Sequence, residues 1–262
     1  MATSEKGAAK PRVTGGRSGA APVRITDEPA FVLHSTPYRE TSLVAQLLTR
    51  SHGRVAAVAK CAKRPNSPLR QVLTTLQPLR ISYSGRGEVK TLTGASWVGG
   101  QSPLRGGALL SGFYLNELML RLLAREDPHE SLFDGYAETL ARLGAGEPAE
   151  RALRRFERLL LRETGSGMQL DICVDGTPVE PQRRYVCIPE YGVRLARIGS
   201  DSTELGESGS VHGSTLIDLE AGRFDDAGTL AEAKPLLRSL LNHALAGRPI
   251  ATRQLLIDLQ AL

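Results

Sequence analysis

The feature that most constrains this chain is a change of hydrophobic period near residue 100. Before it, apolar residues come in runs of about five to eight, separated by turn residues. Phe31-Val32-Leu33-His34 ends before Pro37, and Ser42–Thr49 (SLVAQLLT) ends at the turn Ser51-His52-Gly53. Val55–Ala59 follows at once, Leu79–Tyr83 alternates apolar and polar, and Val89–Thr93 returns after the turn Ser84-Gly85-Arg86-Gly87. Periodicity alone leaves Ser42–Thr49 open between strand and helix, and the short spacing favours strand. Five short strands in about 75 residues predict a small closed β-barrel. After residue 100 the pattern is helical. Ala108–Ala124 places Leu109, Phe113, Leu118 and Leu122 near one face, and Glu130–Leu143 turns Leu132, Phe133, Tyr136, Leu140 and Leu143 inward. A third helix is predicted over Glu150–Glu163, between Pro148 and Gly165, and two closing helices over Thr229–Leu245 and Thr252–Leu262. Residues 168–200 read as irregular or β-like, and the polar, Gly-rich Ser200–Ser214 reads as an exposed loop. The predicted class is α+β: a barrel over 23–100, then a mostly helical domain over 101–262 with an irregular segment at 168–215. Residues 1–22, rich in Gly, Ala, Ser, Pro and basic residues, are expected to be a flexible basic tail.

Charge follows the same division. Residues 1–100 carry 15 Lys and Arg against 5 Asp and Glu, a net +10, and the remainder is net −5. Such asymmetry points to parts with different partners. The excess is densest between Arg50 and Lys90, where nine cations face one acid, Glu88. Lys60-Cys61-Ala62-Lys63-Arg64 runs from a strand into the loop Pro65–Pro68. Cations on such a loop can follow a phosphate backbone without reading sequence. Tyr38 and Tyr83 are candidate base-stacking residues, and Phe31 is expected in the core.

Other chemistries are poorly supported. The five histidines are scattered, and the chain has no G-x-S-x-G, H-E-x-x-H or G-x-x-x-x-G-K-[ST]. Cys61, Cys173 and Cys187 form no C-x-x-C pair and fit a reducing compartment. No apolar run approaches the roughly 18 residues of a spanning helix. A metal-dependent DNA-processing enzyme would need clustered carboxylates. The first hundred residues offer Asp27, Glu28 and Glu40 beside Glu88, and Glu5 in the tail. A protein scaffold whose basic face serves only solubility is the other alternative. On the third helix, Arg151, Arg155, Arg158 and Arg162 share a face. Leu153, Phe156, Leu159 and Leu160 are expected to be buried, with Arg154 near the edge. That stripe is equally a solvated arginine face or a rim for an acidic peptide with hydrophobic end residues.

The order of FVLHSTPYRETSLVAQLLTRSHGRVAAVAKCAKRP, LQPL, GRGEVKTL, SGFYLNELMLRLL, PAERALRRFE and IATRQLL resembles the RecO family of bacterial recombination mediators over residues 24–262. The resemblance implies an N-terminal OB-fold and a helical C-terminal domain. It implies binding of single- and double-stranded DNA, strand annealing, and no cofactor or enzymatic turnover. It also implies work with RecR to load RecA on strands coated by single-strand DNA-binding protein, in the cytoplasm and at the nucleoid during repair. On this chain the family's DNA surface falls on Lys60, Lys63, Arg64 and Arg70, with Arg54, Arg86 and Lys90 as outer contacts. The acidic C-terminal tail of the single-strand DNA-binding protein falls on Arg154 first and Arg155 second. Many members carry a four-cysteine zinc module. Here LDICVDGTPVEPQRRYVCIPEYGV keeps two cysteines, so the zinc-free branch, with no metal, is expected.

Overall fold

The structure is a computed structural model that describes residues 23–196 and 209–254. The tail at 1–22, most of the predicted loop at 200–214 and the last part of the predicted final helix lie outside the described residues. Residues 251–254 are helical.

Five strands, β1 (Arg24–Tyr38), β2 (Ser42–Thr49), β3 (Gly53–Ala59), β4 (Pro78–Ser84) and β5 (Val89–Trp97), close a barrel in the order β1-β2-β3-β5-β4. Every pairing is antiparallel except β3 with β5, which is parallel. This is the OB-like arrangement. β1 starts seven residues before the predicted Phe31, because its polar first half (RITDEP) hides a strand in the sequence. That half pairs with β4, the second half pairs with β2, and the strand bends at Asp27, whose φ is +55°. A short helix the sequence reading missed, α1 (Pro68–Val72), follows Ser67 with proline at its first position. It packs Leu69 and Val72 onto the barrel core.

The helical part comprises α2 (Gly106–Leu122), α3 (Glu130–Gly144), α4 (Ala149–Glu163), α5 (Gly213–Glu220) and α6 (Ala227–Ala244). On α3 the five predicted apolar residues are buried. On α2 the buried stripe includes Leu115, Leu118 and Met119, whereas Leu109, Phe113 and Leu122 are only partly buried. The irregular segment contains the hairpin β6 (Arg184–Ile188) and β7 (Gly192–Leu195), and β6 also pairs with β8 (Val211–His212). β8 and the start of α5 replace the end of the predicted loop, since Val211, Thr215, Leu216 and Leu219 are buried.

Alternate side chains of β1 serve two cores. Ala30 and Val32 fill the barrel, while Phe31 and Leu33 face the helices with Leu48. The Phe31 ring lies 5.3 Å from Phe133 and 5.0 Å, edge-on, from Tyr136. The buried Asn116 amide donates to the Leu33 carbonyl at 2.9 Å and accepts from the Tyr136 hydroxyl. Around this seam, Arg50 reaches Asp134 at 3.0 Å and Glu130 at 2.8 Å, and Arg125 reaches Glu88 at 3.2 Å. Gly53, at φ +65°, packs so closely that a Cβ there would lie 2.0 Å from the Asp127 carbonyl oxygen.

Candidate nucleic-acid interface

The barrel's exposed cations gather at the end of β3 and on the segment after it. Cys61 turns the chain with φ +58°, and backbone bonds from Lys63 to Thr41 and from Arg64 to Cys61 fix the turn. These bonds hold Lys60, Lys63 and Arg64 outward, and Arg70 stands on the outer side of α1. All four side chains are exposed, and none has an ion pair among the described residues. A groove of about 710 Å³ opens beside them, lined in part by Tyr38, Arg39, Lys60, Cys61 and Lys90. It lies between the β1–β2 loop and the start of β5, where OB barrels present ligand-binding loops. Tyr38 is exposed there, with the Arg39 guanidinium 5.2 Å from its ring centre. Arg39 is a groove cation that the sequence reading passed over. Its signal in the sequence is the loop Pro37-Tyr38-Arg39-Glu40, where a cation adjoins a candidate stacking residue.

The three residues expected as outer contacts are placed differently from one another. Arg86 is exposed in the β4–β5 turn. Arg54 is turned into the seam, donating to the Leu123 carbonyl at 3.1 and 3.2 Å and to Gln46 at 3.2 Å. Burial, then the nearby Arg125, lowers its pKa, and the guanidinium stays charged. Lys90 lies 2.7 Å from Glu126, with its side chain only 11% exposed. A cation matched to a carboxylate offers a phosphate little net charge, so the accessible excess lies on the Lys60–Arg70 segment, the loop at Arg39 and the turn at Arg86. Tyr83 faces the barrel interior and is 3% exposed, with its ring centre 6.0 Å from that of His52. Burial pushes its hydroxyl up to about 12, and no base can reach its ring face.

The carboxylates weighed for metal chemistry are dispersed. Glu28 is buried and accepts from the Ser51 amide at 2.6 Å, Asp27 pairs with Arg80, and Glu88 pairs with Arg125. Glu40 lies at the groove. Among the described residues no three His, Cys, Asp or Glu side chains come together as a metal site. Cys173 and Cys187 are buried free thiols, and burial pushes Cys187 up to about 12. No helix of the described residues is long and apolar enough to cross a membrane.

On α4 the arginines divide otherwise than the stripe implied. Arg154 is turned inward, 2.8 Å from Glu157, which is fully buried and also accepts from the Tyr114 hydroxyl at 2.7 Å. Burial raises the Glu157 pKa and holds the Tyr114 hydroxyl well above its ordinary value. Arg158, expected on the solvent stripe, is buried and bonds Glu220 at 2.6 Å. Leu153 and Leu159, expected in the core, are only partly buried. Arg155 remains at the surface, over the Phe224 ring at 5.7 Å and 3.3 Å from Glu147.

A closed OB-like barrel with a cationic loop, fastened to a helical domain, defines a class: proteins that meet nucleic acid through an OB-fold. Residues 23–101 match the Recombination protein O N terminal family, and residues 105–254 match the Recombination protein O C terminal family. The chain belongs to the RecO family of DNA repair and recombination proteins. It is 56% identical to the DNA repair protein RecO of Ralstonia nicotianae, over 91% of this chain and 86% of the relative. It is 54% identical to that of Burkholderia pseudomallei, over 99% and 92%, and 53% identical to that of Aromatoleum aromaticum, over 91% and 98%.

Proposed function

We propose that this protein is a DNA-binding recombination mediator that acts without enzymatic turnover. It holds single- and double-stranded DNA on the barrel and anneals complementary strands. With RecR it helps load RecA on single strands coated by single-strand DNA-binding protein. The observation that carries this reading is the set of four exposed cations, Lys60, Lys63, Arg64 and Arg70, without carboxylate partners on one segment of the barrel. Annealing brings two lines of phosphate charge together. An unmatched basic surface lowers that repulsion while leaving base edges free to pair. Docking to the acidic tail of the single-strand DNA-binding protein raises the local concentration on coated strands. With Arg154 buried against Glu157, that contact falls on the more exposed Arg155, whose partner Glu147 is shared with Arg142.

The test is fluorescence anisotropy of a labelled single strand against salt. The parent should bind with a steep negative salt slope. Lys60→Ala/Lys63→Ala/Arg64→Ala should flatten that slope by roughly two units, at about 0.7 per phosphate contact on a single strand. A parent that fails to bind at low salt overturns the reading.

A further inference from the structure

We propose that Trp97 is a stacking platform for an unpaired base of single-stranded DNA, at the far end of a path that begins in the groove at Tyr38 and Lys60. The inference rests on the DNA-binding reading above. Trp97 is the only tryptophan of the chain and ends β5 with 60% of its surface exposed. A residue with so large an apolar face is ordinarily covered. This one is held open. Its indole N–H donates to Gln77 at 3.3 Å, and the next amide, Val98, donates to the Pro78 carbonyl at 3.1 Å. Val98 extends the apolar rim and is 56% exposed.

The position of Trp97 gives the patch its occupant. The groove is lined by the first residues of β5, Val89, Lys90 and Thr91. Eight strand steps of about 3.3 Å separate Val89 from Trp97, a span of roughly 26 Å. β3 runs parallel to β5 with Val58 opposite Thr91, so the chain leaves at Lys60 beside the middle of β5, carries Lys63 and Arg64 into α1, which packs against β5 and presents Arg70, and then reaches Gln77 and Pro78 at Trp97 and Val98. Two exposed aromatic residues thus stand at the two ends of a run of unmatched cations. Backbone phosphates on the cations and bases on the rings suit a single strand, within the roughly 4–16 nucleotides an OB fold holds. A duplex keeps its bases stacked inside and gains nothing from the indole.

The sole tryptophan makes the test direct. Adding an oligo-dT strand of about 15 nucleotides at low salt should quench Trp97 emission, with binding followed separately by anisotropy of the same strand carrying an end label. Trp97→Ala should weaken single-strand binding roughly 5- to 150-fold with the salt slope unchanged, because a neutral ring releases no counterions. Duplex affinity should stay the same, and Trp97→Phe should restore most of the loss. The proposal is overturned if anisotropy reports binding while Trp97 emission stays constant and Trp97→Ala binds like the parent. It is overturned equally if Trp97→Ala weakens single strand and duplex alike. Emission that responds to protein concentration and not to oligo-dT also overturns it, in favour of a face between two copies. If the parent gives no anisotropy change at low salt, the DNA-binding reading itself has failed.

Discussion

Arg154 and Glu157 lie one turn apart on α4, and their pairing is a matter of burial more than of charge. Glu157 is fully enclosed, so removing its cation leaves a carboxylate with no solvent to turn to. Arg154→Ala should therefore destabilise the protein by about 3–5 kcal/mol in urea unfolding, whereas Arg155→Ala should leave stability nearly unchanged and weaken binding of an acidic peptide. Glu117 is a second case. It accepts from the amides of Ala251 and Thr252 and from the Thr252 hydroxyl, and so caps the helical residues 251–254. Burial pushes its pKa up, but those bonds and Arg121 outweigh burial and hold it below the usual carboxylate value. Its contribution is complete above the unfolded value of about 4.3 and is lost as pH falls through the lower folded one. The Tm of Glu117→Ala should trail the parent near neutrality by the equivalent of about 1–2 kcal/mol, and the gap should close below about pH 4. Neither role was legible in the sequence. Helical spacing put Arg151, Arg155, Arg158 and Arg162 on one line, but spacing does not say which side of a helix is covered. The carboxylates that draw Arg154 and Arg158 inward are visible only once Tyr114 and α5 are in place.

At the scale of elements, strands and helices with a clean period were readable and the exceptions have physical causes. β2 to β4 and α2 to α4 fall close to their predicted spans because each carries its period through to a turn residue, whereas β5, predicted over Val89–Thr93, runs on through Gly94 to Trp97. β1 lost its first half because that half is polar and interrupted by Pro29. α5 was hidden behind a Gly- and Ser-rich stretch, although Thr215, Leu216 and Leu219 carry a helical spacing. The turn between β2 and β3 was read correctly as Ser51-His52-Gly53, but not the reason for its glycine. Gly53 combines a left-handed φ with a carbonyl where a side chain would begin. Gly53→Ala should cost about 2–3 kcal/mol, seen as a lower urea midpoint. The basic loop was legible as a loop and as basic. Which of its neighbours were already matched was not, because Arg54 and Lys90 find their partners 69 and 36 residues further on.

Across the whole molecule the charge division points to two parts with different partners, and the packing joins those parts through one shared core. Phe31, Leu33 and Leu48 belong to barrel strands yet sit in the helical core, and Asn116 ties the two together. Asn116→Ala strands the Leu33 carbonyl and the Tyr136 hydroxyl in a buried place, so it should cost about 2–6 kcal/mol, at about 1–3 for each unsatisfied group. Barrel and helices should melt together in the parent, with Trp97 emission and far-UV circular dichroism giving one coincident transition. The two-sided strand also bears on how the chain is made. Synthesis runs from the N-terminus at about 5–20 residues per second, and Tyr136 follows Phe31 by about a hundred residues. For roughly 5–20 seconds of each round the stretch around Phe31 has no helical partner, and once β5 has emerged the nascent barrel carries an apolar stripe facing water at the ribosome exit. A pause in translation before α3 emerges lengthens that interval, and a message truncated there yields a product whose stripe is never covered.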